Sequence, residues 1–228
     1  MADLSLSRDD IVEVALDVTR TDGLRAVTMR AIASRFDVTP MALYRHVADR
    51  EELVRLVADR IGSLVHPEAP SGAPWEQLAR AWAVAQRGTL RQHPGVAEWL
   101  MANGPAGAEA YRLLELLASA LCAGGFDDAR VARGAAQIMS WTFSRVAIED
   151  NADARRRTKR RNRARAFVAG LSEVDPAQYP TAARIGPEFF TLSMQEIFDL
   201  GLDSIIAGLR AGLTSAEPAL GHGRSPSL

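Results

Sequence analysis

Apolar residues recur three or four positions apart along nearly the whole chain, a spacing that predicts helices from end to end. Ile11, Val14, Ala15 and Val18 share the first face, opened by the capping-box pair Ser7 and Asp10 and closed where Thr21 and Asp22 give way to Gly23. Behind Thr28, a helix-starting residue, come Ile32, Ala33 and Phe36. After a connection of only Asp37 and Val38, Thr39 and Pro40 start another helix, since proline at the first helical position sacrifices no internal bond. It has about two turns before Asp49 and Glu52 signal the next start, too few to hold alone. Leu43 and Val47 form its inner edge. A fourth helix, about Arg50 to Val65, carries a broad stripe of Leu53, Leu56, Val57, Ile61, Leu64 and Val65.

The segment His66 to Pro74, with three Pro and a Gly, interrupts the pattern. Three helices are expected beyond it: Trp75 to Gln92, Val96 to Ala102 and Ala106 to Ala123. Two longer ones follow, Asp127 to Glu149 and Pro187 to Leu213, each apolar on more than one face. The expected fold is all-α: an N-terminal three-helix unit with a helix-turn-helix (residues 1–65), a helical unit (66–213) and a disordered tail (214–228). The doubly apolar faces point to a homodimer in which the last two helices meet their copies in a four-helix interface. The alternative is that both are central helices of a monomer.

At 47% hydrophobic and 24% charged, the chain has ordinary globular usage. No apolar run could cross a bilayer and the N-terminus is acidic without an apolar signal core, so a cytoplasmic protein with no membrane partner is expected. The single Cys122 excludes an intrachain disulfide and a multi-cysteine metal cluster, and its apolar neighbours suggest a buried small side chain. The four His are scattered, and no metal, nucleophile or phosphate-loop motif occurs. No enzyme activity, cofactor or metal is therefore expected. Net charge is −1, and the first 65 residues hold 9 Arg against 11 Asp plus Glu, so any DNA affinity must come from a small patch near Arg30, Arg45 and Arg50. The run Arg155 to Arg165 carries 8 Arg plus Lys; it reads as a solvated loop before it reads as a second DNA contact.

The stretch Val38 to Arg50 turns Met41, Tyr44, Arg45 and Ala48 outward, with Thr39 at the helix start and His46 on the flank. This mixture suits phosphates and base edges, although two ordinary bundle helices with a polar face would read similarly. Together with Gly23 to Ala33 (GLRAVTMRAIA) and Val38 to Val47 (VTPMALYRHV), Ser7 to Val65 resembles the DNA-binding domain of the tetracycline-repressor (TetR) family. The resemblance implies a dimer that binds double-stranded operator DNA and is released by a small-molecule effector. It implies base contacts from Thr39, Met41 and Arg45 and phosphate contacts from Thr28, Tyr44, His46 and Arg50, with Arg30 and Pro40 completing the face.

The later helices resemble the tetracycline-repressor subgroup by layout, with a short segment at Pro176 to Arg184. Where that repressor has a metal-binding His shortly after a Gly, this chain has Trp99 after Gly95, so a more apolar effector than a metal-chelated tetracycline is expected. The expected effector site lies between Trp75 and Trp141, lined by Trp82, Trp99 and Trp141, with Gln86, Asn103 and Gln137 as polar contacts. A second reading, an all-α ligand-binding or enzymatic protein that has lost DNA binding, draws on the acidity of the first unit.

Overall fold

The computed structural model describes residues 6–157, 170 and 175–214. The N-terminal unit comprises α1 (Arg8–Asp22), a 3-10 turn (Leu24–Ala26), α2 (Met29–Arg35), α3 (Pro40–Leu43) and α4 (Arg50–Ser63). Then come α5 (Trp75–Arg91), α6 (Val96–Asn103), α7 (Ala108–Ala123), α8 (Asp128–Arg157), α9 (Pro180–Thr191) and α10 (Met194–Thr214). The fold is all-α.

Caps set the N-terminal boundaries. Ser7 and Asp10 form the capping box of α1, Thr28 accepts from the Ala31 N–H, and Asp49 accepts from the Glu52 N–H. Between α2 and α3 the chain turns through Asp37 at φ 54°, and the Val38 N–H bonds back to the Ala33 carbonyl at 3.1 Å. This is a Schellman closure with aspartate in the left-handed position, which Asp tolerates better than most residues.

Two apolar cores run through the molecule. The first gathers Ile11, Ile32, Leu43, Val47, Leu53 and Val57, and continues through Leu90, Val96 and Ala97. The second is built on Trp82, Leu117, Leu121, Ile138, Phe198 and Leu202. Helix α4 faces both, because Ile61 belongs to the first and Val65, just beyond its end, to the second.

Three expectations change. Helix α3 is a single turn, continued to Val47 by a tight turn in which the His46 and Val47 N–H groups bond to the Leu43 carbonyl. Helix α8 runs two turns past Glu149, where Arg91 of α5 pairs with Asp150 and Asp153. The last expected helix is two helices: Pro187 lies inside α9, and a new start at Ser193 is marked by its reciprocal bonds with Glu196. Cys122 is exposed, because the buried face of α7 carries Leu113, Leu117, Ala120 and Leu121 and leaves position 122 outside. Most of the basic run Arg155 to Arg165, and the tail after Thr214, lie outside the described residues.

Candidate DNA-reading face and ligand cavity

Helix α3 is held from beneath by Leu43 and Val47, both fully buried, and this turns its first residues outward. Met41 is 72% exposed, Tyr44 is exposed, and Arg45, Thr39 and Pro40 lie on the same surface. Thr39 makes no side-chain cap bond, so its hydroxyl is free for another partner. Thr28 and Arg30 are exposed at the start of α2, with the Thr28 oxygen accepting from Ala31 and its proton still available; His46 is half-buried.

Most of the arginines of this unit already have a partner. Of its nine arginines, Arg8 meets Glu52, Arg20 and Arg35 meet Asp17, Arg25 meets Glu98, Arg55 meets Glu51, and Arg60 meets Glu13. Arg50 is also occupied: its Nε donates to the Val27 carbonyl at 2.7 Å and an Nη to that of Leu24 at 3.3 Å. It fastens the start of α4 to the turn before α2 with two of its five N–H groups, the side chain remaining exposed. Only Arg30 and Arg45 have no partner among the described residues. Net acidity therefore coexists with two free cations beside the outward face.

A cavity of about 230 Å³ lies between the C-terminal half of α4 and helices α5, α7 and α8. Its walls are mostly apolar, with Leu100, Leu113, Met139 and Phe143 among them. Polar side chains come from Asp59, Gln86 and Tyr111, while the buried Trp82 spends its indole N–H on the Leu113 carbonyl at 2.7 Å. Helices α4 and α7 cap each other at this wall. The Asp59 carboxylate accepts from the Glu109 N–H at 2.9 Å at the start of α7, and an Arg112 Nη donates to the Gly62 and Val65 carbonyls at 3.0 and 3.1 Å, at the end of α4. A Cβ on Gly107 would lie 2.6 Å from the Asp59 carboxyl carbon, and one on Gly62 would lie 2.9 Å from Glu109 Cβ, so both glycines permit the close approach.

Residues 11–57 match the family model described as bacterial regulatory proteins, tetR family, and residues 66–213 match tetracyclin repressor-like, C-terminal domain. The chain belongs to the TetR family of transcriptional regulators. A TetR-family regulator binds DNA through its helix-turn-helix and is not an enzyme. The chain is 28% identical to an HTH-type transcriptional regulator of Saccharopolyspora erythraea, over 90% of this chain and 85% of that one. It is 26% identical to the HTH-type transcriptional repressor DrrR1 of Streptomyces coeruleorubidus, over 90% and 80%. Among solved structures it is similar to the TetR family protein ActR of Streptomyces coelicolor in complex with actinorhodin, with TM-score 0.84 and 26% identity, covering 95% of this chain and 100% of that one.

Within this TetR-family fold, the six side chains expected around an effector divide. Trp82 and Gln86 line the cavity. Trp99 packs instead against the N-terminal core, and Asn103 is exposed, its amide donating to the Trp99 carbonyl at 2.8 Å. Gln137 and Trp141 line an open groove between α8 and α10 on the other side of the second core, with Ser140, Ile205 and Leu209. The Trp141 indole donates to the Phe198 carbonyl at 3.1 Å and lies flat over Gly201, where any side chain would overlap it. Asp59 and Tyr111 went unnoticed in the sequence.

The joint between the two units is polar and buried. In the turn before α6 the Pro94 carbonyl accepts from the Leu24 N–H at 2.9 Å, and the Gly95 N–H donates to Asp150 at 3.0 Å. Glu149 of α8, 3% exposed, is shared by Arg87 and Arg91 at 3.1 and 3.0 Å. Burial raises the Asp150 pKa against the opposing pull of the Gly95 N–H and Arg91. Burial lowers that of His93, whose Nδ1 lies 2.8 Å from the Thr89 carbonyl. Among the described residues, no cluster of His, Cys, Asp and Glu is arranged to hold a metal ion, and no helix is long and apolar enough to cross a membrane.

Proposed function

We propose that this regulator is a cytoplasmic repressor that binds a palindromic operator as a homodimer and leaves it when a small molecule enters the cavity. The observation that carries the proposal is the double role of α4. Its first turn is fastened by Arg50 to the turn before α2, and its last turns form a wall of the cavity and are capped by α7. A ligand that spreads α4 from α7 changes the angle between the N-terminal unit (1–65) and the ligand-binding unit (66–213). Effector affinity must then differ between the two angles, which is the condition for coupling. The binding of small molecules by relatives, such as actinorhodin by ActR, supports the same reading.

In this reading Thr39, Met41 and Arg45 contact base edges, while Thr28, Arg30, Tyr44 and His46 hold phosphates. Arg50 acts by bracing the face. The dimer forms along α8 and α10, where Ile205 and Leu209 are half-buried and Ile148 and Leu200 are exposed. Two reading faces on a two-fold axis meet successive major grooves about 34–36 Å apart.

The test uses a labelled operator selected from random duplexes by the native protein. A compound screen is expected to find molecules that quench Trp82 fluorescence and release the operator together, with Trp82→Phe removing the optical signal and preserving release. Quenching that never alters operator affinity would defeat the switch.

A further inference from the structure

The buried amide of Gln86 identifies the chemistry of the effector, on the reading that the cavity is an effector site. Gln86 is 5% exposed and lines the cavity, yet its side chain has no hydrogen-bond partner among the described residues. The amide atoms face the cavity and are not sealed from solvent, so a ligand that displaces water from them must replace the lost hydrogen bonds. The Trp82 indole cannot help, since its N–H is already given to the Leu113 carbonyl. What completes Gln86 must present an acceptor to its NH₂ and a donor to its carbonyl.

Charge and size narrow the class. Among the described residues no Arg, Lys or His lines the cavity, and Asp59 does. An anion entering would lose its water, find no counter-charge and face a like charge. At about 230 Å³ the space exceeds the roughly 150 Å³ apolar cavity that accepts benzene, so a fused ring system fits. We infer that the cavity selects an uncharged, largely aromatic compound with one edge that both donates and accepts at Gln86, and that it rejects the anionic counterpart.

Three probes of one shape test this by isothermal titration calorimetry on the full chain: 1-naphthamide, 1-naphthoate and 1-methylnaphthalene. The amide should bind roughly tenfold or more tightly than either of the others, one unsatisfied buried group being worth about that factor. Gln86→Leu should erase the advantage of the amide and tighten the binding of 1-methylnaphthalene, which no longer leaves an amide unmet; a cooperative melt like that of native protein establishes that the variant is folded. Asp59→Asn should narrow the gap between naphthoate and the amide. If naphthoate binds native protein as tightly as the amide, or Gln86→Leu leaves the preference intact, the inferred class is wrong although the cavity stands. If none of the three binds up to its solubility limit, the effector reading of the cavity fails as well.

Discussion

The reading face belongs to a unit crowded with charge, the cavity to a region nearly stripped of it, yet each ends with one or two polar side chains lacking a partner. Around α3 the surplus is removed by pairing: seven of nine arginines are tied to carboxylates or carbonyls, leaving Arg30 and Arg45. Around the cavity it is removed by composition, since apolar walls leave the Gln86 amide without a partner among the described residues. The contrast teaches that counts of charge or polarity say little about recognition. What matters is which groups the fold leaves unsatisfied.

The bluntest way to break the comparison is to remove the frame that sets two reading faces at one spacing. Ile205→Glu puts a charge into the α8–α10 groove and is expected to give monomers by ultracentrifugation. Operator affinity should then fall by roughly the thousandfold or more that separates specific from non-specific binding. Phe198 is unsuitable for this test, because it is fully buried and a charge there would unfold the chain. Next in size is the contact between α4 and α7: Gly107→Ala forces a methyl against Asp59 and should lower stability by about 1–3 kcal/mol in a urea titration. Gly88→Ala meets open space within α5 and should raise stability by up to about 1 kcal/mol, so equal effects would refute the close-approach argument.

The free guanidiniums sharpen the comparison. Arg45→Ala should cost about 1–3 kcal/mol at one base pair and relax preference there, read by competition among single-base operator variants. Arg30→Ala, which removes one phosphate contact from each protomer of the proposed dimer, should weaken all sequences alike and reduce the salt slope by about 2. Arg55→Ala, already paired and exposed, should change neither. The smallest expected effect is on pH dependence. His93 is buried with its pKa below the usual 6.5, so as pH falls from about 6.5 the unfolded chain takes up the proton first and stability declines until the folded pKa is reached. A melting temperature that drops between pH 7 and 5.5 less in His93→Gln than in native protein would show this contribution; identical drops would remove it.

Much of the local geometry from α1 to α4 is legible in the sequence because its determinants are local. The caps at Ser7, Thr28 and Asp49, and the inward pair Leu43 and Val47, follow from neighbours three or four residues away. What depends on distant contacts is not. Nothing near Arg50 in sequence reveals the Leu24 and Val27 carbonyls that occupy it, and nothing near Glu149 reveals the Arg91 pairs that prolong α8. The cavity shows the same division. Trp82 and Gln86, one turn apart on α5, both line it, whereas the size of Trp99 and Trp141 does not say which core a side chain faces. The break before α10 was available in Ser193 and Glu196 and was masked by the stronger signal of Pro187.

The internal pairing of the N-terminal arginines also bears on how such a protein searches a genome. Affinity for arbitrary DNA comes chiefly from displaced counterions, with a slope of about −0.9 per phosphate neutralised. In the proposed dimer, two such guanidiniums per protomer give a slope of roughly −4, much shallower than that of a protein with an arginine-covered surface. It would hold random DNA weakly, spend little time sliding, and reach its operator mainly by repeated dissociation and return. On the proposed function, such a regulator keeps most of its unbound copies in solution, where the cavity can meet an effector before the operator is reached.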